Sequence, residues 1–223
     1  MGIRRFWKNL PPVKRTERRV LREAEQRRLD KVNSIPVYDL AAKHCENARI
    51  VPNRAALLER MPSNGIVAEL GADEGEFSAT ILKLNTPRKL HIVDVWGSDR
   101  YNDDKANAVA DRFKSQIDEN KVQITRKLST DAVEDFQDGY FDWIYIDSDH
   151  GYSVTISELH AYARKIKRGG FIAGHDYTMG NWVKGFKYGV IEAVAEFCVK
   201  EDWTIAYLTA NYHEGNSFAL TRL

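Results

Sequence analysis

From Gly65 onward, short apolar runs alternate with stretches whose apolar residues recur every three or four positions. Residues 66–70, 90–95, 122–128 and 141–146 read as strands, and Phe171-Ile172-Ala173 opens a fifth. Between them lie helical faces: Phe77, Ile81 and Leu82, then Val109, Phe113 and Ile117 at a spacing of four. Ala132, Val133 and Phe136 suggest a short helix, and Leu159, Tyr162, Ala163 and Ile166 mark a longer one that Gly169-Gly170 is expected to end. Val190, Ile191, Val194, Phe197 and Cys198 form another amphipathic face. Two final strands, 203–209 and 217–223, are joined by residues 211–216.

Apolar strands of this length, alternating with helices, suit a parallel sheet covered on both faces, and the closing hairpin makes the sheet mixed. The expected fold is a Rossmann-like, doubly wound α/β domain. Its sheet has seven strands, mostly parallel, with a C-terminal antiparallel hairpin, and ligands belong at the carboxyl ends of the strands.

Upstream the pattern is weaker. Pro11-Pro12 precedes a charged helix over 13–32 whose apolar residues are sparse (Val13, Val20, Leu21, Ala24, Leu29). Pro36 and Pro52 bracket a short helical stretch over 38–47, and Asn53 caps a helix that Pro62 stops after Met61. The expected division is a basic N-terminal helical arm and cap over 1–61, and a ligand-binding domain over 62–223.

Composition narrows the class. With 223 residues, 43% hydrophobic and 29% charged, the chain is an ordinary globular one. Two cysteines, Cys45 and Cys198, cannot form a disulfide framework, and no Cys/His cluster suggests a zinc knuckle. No apolar run is long enough to span a bilayer, and the first thirty residues lack the h-region of a secretory signal. Phe6 stands where a myristoylation motif needs Ser or Thr. A reducing cytoplasm is the default compartment. The net charge of +1 hides an asymmetry, because residues 1–31 hold eleven Lys/Arg against four Asp/Glu. The remainder carries a net charge of −6. The arm is expected to be a solvated helix leaning on the body or on a second subunit, which makes it a candidate dimerisation element. A phosphate- or membrane-surface-binding arm is the alternative.

The first strand-to-helix turn runs from Glu69 through Gly71, Ala72, Asp73, Glu74, Gly75 and Glu76 to Ser78. Glycines there permit close ligand approach, and the helix start offers free N–H groups. A dinucleotide site would use Gly-x-Gly-x-x-Gly. Here the spacing is Gly-x-x-x-Gly, and Asp73, Glu74 and Glu76 would repel a pyrophosphate. A cationic ligand suits the turn better than NAD.

In these features the sequence resembles the class I S-adenosylmethionine-dependent methyltransferases over about residues 62–223. The resemblance implies that the cofactor, a sulfonium with an amino group, lies against Glu69, Gly71, Ala72, Gly75 and Ser78. It also implies that Asp94, beside Val95, meets the ribose hydroxyls. Ser129-Thr130-Asp131, after the third strand, resembles the segment that meets the adenine ring.

The fourth strand ends Ile146-Asp147-Ser148-Asp149-His150, and the fifth ends Gly174-His175-Asp176-Tyr177. With the two strands neighbours, three carboxylates and two imidazoles share one edge, a costly crowding unless a metal, a substrate or proton sharing offsets it. Methyl transfer needs a polarised or deprotonated nucleophile in line with the sulfonium. A histidine, His150 or His175, taking the hydroxyl proton is one solution, and a divalent ion held by carboxylates is the other. The sequence resembles small-molecule O-methyltransferases of the catechol and macrocin (sugar) type. That resemblance makes Asp147 the first metal ligand and Asp176 the last, with Asp147 also facing the cofactor. His175 stands where those relatives carry a carboxylate, and imidazole favours manganese or zinc over magnesium.

Residues 177–188, rich in aromatics, glycine and lysine, are expected to face substrate, with Trp96 and Tyr101 completing the pocket wall. Asp149 is either an N-cap or a ligand, and His44, His91, His160 and His213 are read as structural or surface residues. The leading function is O-methylation of a small-molecule hydroxyl, on a sugar or glycosylated metabolite. A nucleic-acid (RNA) methyltransferase draws support only from the basic arm, and the acidic body opposes it. A non-catalytic binding protein of the same fold is the third class.

Overall fold

The computed structural model describes residues 12–181, 183, 185–211 and 214–223. Trp182 and Lys184 of the expected substrate loop, His213, and the arm residues before Pro12 lie outside the described residues. The chain divides into two compact units, Met1–Pro36 and Val37–Leu223.

In the first unit, helix α1 (Pro12–Asn33) is polar around its circumference, with Val20, Leu21 and Leu29 exposed. Arg19–Glu23 and Gln26–Asp30 are paired one turn apart, the local support that a helix with no broad apolar stripe depends on.

The second unit is built on an eight-stranded sheet. Its elements are β1 (Arg49–Val51), α2 (Arg54–Leu58), β2 (Ile66–Leu70), α3 (Glu76–Leu84), β3 (Lys89–Val93), α4 (Asp103–Arg112), α5 (Lys114–Asp118) and β4 (Val122–Thr125). There follow α6 (Ser129–Ala132), β5 (Phe141–Ile146), α7 (Tyr152–Ala163), β6 (Ile166–Gly174), the two-residue strands β7 (Gly180–Asn181) and β8 (Phe186–Lys187), α8 (Val190–Glu201), β9 (Trp203–Thr209) and β10 (Phe218–Arg222). The order across the sheet is β1-β9-β10-β6-β5-β2-β3-β4. Only β10 runs against its neighbours, pairing antiparallel with both β6 and β9.

Alternation along each central strand feeds two cores. On β5, Phe141, Ile144 and Ile146 join Leu159 and Tyr162 of α7 and Val194 and Phe197 of α8 on one face. Trp143 and Tyr145 join Leu57 and Leu58 of α2, Ile81 of α3 and Val109 of α4 on the other. Burial on both faces is why these strands read as continuous apolar runs. The chain winds from β2 outward to β4, then returns to β5 on the other side of β2. The carboxyl ends of β2 and β5 therefore flank the crevice of a doubly wound sheet.

The structure corrects several expectations. The sheet has eight strands rather than seven, because β1 pairs in parallel with β9 at the edge. The 38–47 stretch contains a single 3₁₀ turn, Ala42–His44. Phe113 breaks the expected helix into α4 and α5, yet Val109, Phe113 and Ile117 keep a common buried face. Gly169-Gly170 does not end a helix. It lies inside β6, where Ile166 pairs with Phe141 but Phe171 already pairs with Trp143, so the chain bulges between them. A Cβ on Gly170 would strike the Asp142 carbonyl, which explains a glycine at that bulge. The expected cap segment, β1 and α2 included, belongs to the sheet-containing unit. Among the described residues no helix is long and apolar enough to cross a membrane.

Candidate active site

The turn after β2 is held by contacts with its neighbours. Gly71 has φ +88°, and any side chain there would collide with the Asp147 backbone at the end of β5. Asp94, one residue past β3, folds its carboxylate back over the turn. Its Oδ2 accepts from the N–H groups of Ala72 (2.8 Å) and Asp73 (3.1 Å), and its Oδ1 accepts from that of Trp96 (3.0 Å). Trp96 is buried, and its indole N–H donates to the Asp73 carbonyl. A left-handed backbone at Asp73 and Trp96 is the strain this arrangement sustains.

Two adjoining cavities open on this turn. One, of about 380 Å³, is walled by Val93, Val95, Leu128 and Val154, with Asp94, Ser129, Ser148 and Asp149 as polar lining. The other, of about 270 Å³, is lined by Arg54, Glu69, Ala72, Phe77, Tyr101 and His150 among others. Gly71, Asp73, Tyr101, Asp147 and Ser148 line both, so the cavities are halves of one crevice.

The turn presents less negative charge than three loop carboxylates suggest. Lys105 of α4 pairs with Asp73 and Glu74. Glu69 is buried and accepts a hydrogen bond from Ser78, and burial pushes its carboxyl up to about 8 against the opposing effect of that bond. Glu69 is therefore mostly neutral at pH 7 when no cation is beside it.

At the rim, the expected cluster forms. His175 Nδ1 lies 3.4 Å from Asp147 Oδ1 and 3.6 Å from Asp176 Oδ1. One ligand atom from each of Asp147, His175 and Asp176 falls within 4.8 Å of the others. Burial alone would lower the His175 pKa, but the Asp147 carboxylate and then Asp176 outweigh it and hold it above its usual value. His175 Nε2 is buried without a partner among the described residues. His150 Nε2 stands 3.2 Å from Asp176 Oδ2, and its ring packs 4.7 Å from that of Tyr188. Asp176 itself has a left-handed backbone, and a side chain at Gly215 would collide with its carboxylate.

Of the residues expected at the site, Glu69, Gly71, Ala72, Asp94, Val95, Ser129, Asp147 and His150 line the crevice. Three do not. Ser78 is buried and faces Glu69, and Gly75 starts α3 where a side chain would strike Phe113. Thr130 is exposed outside both cavities. Asp149 lines the larger cavity and also accepts from the Gly151 N–H, which turns the chain into α7.

Three further side chains at the site carry no signal in the sequence. Arg54 lies 3.6 Å from Asp147, pairs with Glu214 and sits 4.7 Å above the Phe77 ring. Glu158 of α7 is buried and accepts from the hydroxyls of Ser129 and Ser148. Lys105 is the third. Each reads in sequence as an ordinary charged residue of a helix, and only the fold brings it to the crevice.

Residues 68–177, just under half of the chain, match the model of a family described as a methyltransferase domain. Solved structures share the fold at low identity. A Corynebacterium glutamicum protein is 13% identical, with a TM-score of 0.54 over 89% of this chain and 88% of that one. A Streptococcus mutans protein in complex with S-adenosylhomocysteine is 13% identical, with a TM-score of 0.54 over 76% of this chain and 95% of that one. The precorrin-6y C5,15-methyltransferase of Geobacter metallireducens is 14% identical, with a TM-score of 0.55 over 76% of this chain and 86% of that one. No protein of curated function matches the chain in sequence.

Proposed function

We propose that this chain, an S-adenosylmethionine-dependent methyltransferase, methylates a hydroxyl of a small molecule, a sugar or a glycosylated metabolite, at the rim formed by Asp147, His150, His175 and Asp176. The observation that carries the reading is the convergence of two carboxylates and two imidazoles on the mouth of the crevice. The larger cavity takes the adenosine half of the cofactor between its apolar walls. The smaller takes the methionine half, whose ammonium and sulfonium charges meet Glu69 and Asp147.

The acceptor oxygen forms its bond to the methyl carbon as the carbon–sulfur bond breaks, leaving S-adenosylhomocysteine. The hydroxyl proton goes to His150, which lines the smaller cavity and is oriented by Asp176 behind it. Arg54 supplies positive charge beside the developing alkoxide, and His175 adds to it when protonated.

The donor set of two carboxylates and one imidazole also fits a divalent ion of the manganese or zinc kind. Asp147, His175 and Asp176 would hold it, and it would supply Lewis-acid polarisation of the acceptor oxygen.

The test is an acceptor screen with methyl-labelled cofactor, followed by Asp147→Ala on the acceptor found. Loss of transfer with an unchanged melting curve is expected, and parental activity would reject the rim. Labelling of RNA but of no small molecule would reject the acceptor class.

A further inference from the structure

The larger cavity has an unusual polar floor. Ser129, at the start of α6, and Ser148, after β5, come from loops on different strands. Both hydroxyls donate to the same oxygen, Oε1 of Glu158, with Ser148 at 2.6 Å. The Ser129 carbonyl is also fixed, by the Tyr162 hydroxyl at 2.9 Å. Glu158 is fully buried, and its Oε2 has no partner among the described residues. Its carboxyl takes no part in the transfer chemistry described above.

A serine hydroxyl has one proton and two lone pairs. With both protons committed to Glu158, the two serines can offer the cavity only lone pairs. They stand side by side because they close on one oxygen. The other walls, Val93, Val95, Leu128 and Val154, are apolar and suit the faces of a planar ring.

We propose that Glu158 sets the hydrogen-bond polarity of the base subsite. By holding Ser129 and Ser148 as acceptors, it selects a purine with an amine at position 6 and rejects one with an oxygen there. The inference rests on the reading that this cavity takes the adenosine half of the cofactor. Adenine presents its exocyclic N–H groups to the two oxygens, whereas a 6-oxo purine places its own lone pairs against theirs. Glu158 is thus a positioning residue that acts through the serines.

The experiment compares S-adenosylhomocysteine with S-inosylhomocysteine, which differ at that position, by calorimetry on the full chain. It is run at pH 8.5, where Glu158, raised by burial to about 7, is ionised. The parent is expected to prefer the adenine ligand by about tenfold or more. Glu158→Leu removes the shared acceptor and frees both hydroxyls to turn. The preference should then fall at least about fivefold, with the inosine ligand binding no more weakly than to the parent. A purely structural role would instead weaken both ligands alike. Ser148→Ala, which leaves Glu158 in place, should narrow the preference by weakening the adenine ligand alone, and it carries the test if Glu158→Leu does not fold. An unchanged ratio in folded variants, or a parent that binds both ligands equally, overturns the proposal. A parent that binds neither ligand overturns the adenosine-cavity reading itself.

Discussion

Glu69 predicts a pH signature for cofactor binding. Its carboxyl, with a pKa of about 8 in the free protein, is ionised in only about one molecule in a hundred at pH 6. The cofactor brings two positive charges into the cleft that Glu69 lines, and a neighbouring cation favours the carboxylate. Binding therefore releases a proton, and apparent affinity should rise as pH climbs toward 8. Between pH 6.0 and 7.5 the linkage amounts to about 25-fold in Kd. The window stops at 7.5 because α-amino groups begin to lose their own proton near there, at about 7.7–8.0.

Titration calorimetry in two buffers of different ionisation enthalpy reads both the affinity and the proton released. Glu69→Gln keeps the shape and an acceptor for Ser78 but cannot ionise, so its affinity should be flat over the same window. Glu158, raised by burial to about 7, titrates in the same range, so the difference between parent and variant is the quantity that matters. Stability supplies an independent check. A carboxyl whose folded pKa is raised favours the folded state fully below its unfolded value and loses that contribution as pH rises from about 4.5 through 8. The ceiling is roughly 5 kcal/mol for a shift of this size. The gain in melting temperature of Glu69→Gln over the parent should therefore grow between pH 5 and pH 8.5. A parent whose affinity ignores pH, or a variant with the parent's slope, would refute the reasoning.

Three further outcomes are expected. Gly71→Ala puts a side chain at φ +88° against the Asp147 backbone, so urea unfolding should show a loss of about 2 kcal/mol or more, together with loss of cofactor binding. A variant as stable as the parent would mean that the turn relaxes away from β5. His150→Ala should lower kcat by about 10²- to 10⁴-fold while changing S-adenosylhomocysteine affinity far less, although the residue also lines the cofactor's cavity. A loss of affinity as large as the loss of kcat would count against proton transfer. Replacing residues 180–187 by a short glycine linker should raise the acceptor KM and spare cofactor binding, since the segment carries the exposed apolar residues Val183 and Phe186 and its described residues line neither cavity. Unchanged acceptor kinetics would remove this loop from recognition.

What the sequence reveals follows from where each residue's partners lie. β5 is legible to the residue because both faces of the sheet are covered there, so burial alone writes an apolar run. β9 shows instead through partial alternation, with Trp203 and Ile205 buried and Thr204 and Ala206 less so. β1 is not legible. Three residues show no alternation, and its pairing with β9 depends on a segment far along the chain. Gly169-Gly170 has the look of a helix stop but is a bulge, since both uses draw on the same conformational freedom of glycine. At the site, Gly71, Asp94 and Asp147 stand out because the ends of parallel strands gather chemistry. Arg54, Lys105 and Glu158 do not, because a charge on a helix reads as solvated until the tertiary fold buries it.

The rim contains two imidazoles, and its geometry gives them different work. His175 sits between two carboxylates, which outweigh burial and hold its pKa above the usual value. A divalent ion placed among Asp147, His175 and Asp176 would require that imidazole to be neutral, so ion and proton are alternatives at one nitrogen. Either occupant leaves positive charge beside Asp147, where Arg54 adds its own at 3.6 Å. His150 touches only Asp176 among these carboxylates and lines the cavity itself, the placement on which its proposed role as proton acceptor rests. On the proposed reading, an acceptor oxygen gives up its proton on one side while facing cations on the other. A displacement at a sulfonium methyl gains from that arrangement, because the charge it stabilises develops on the attacking atom.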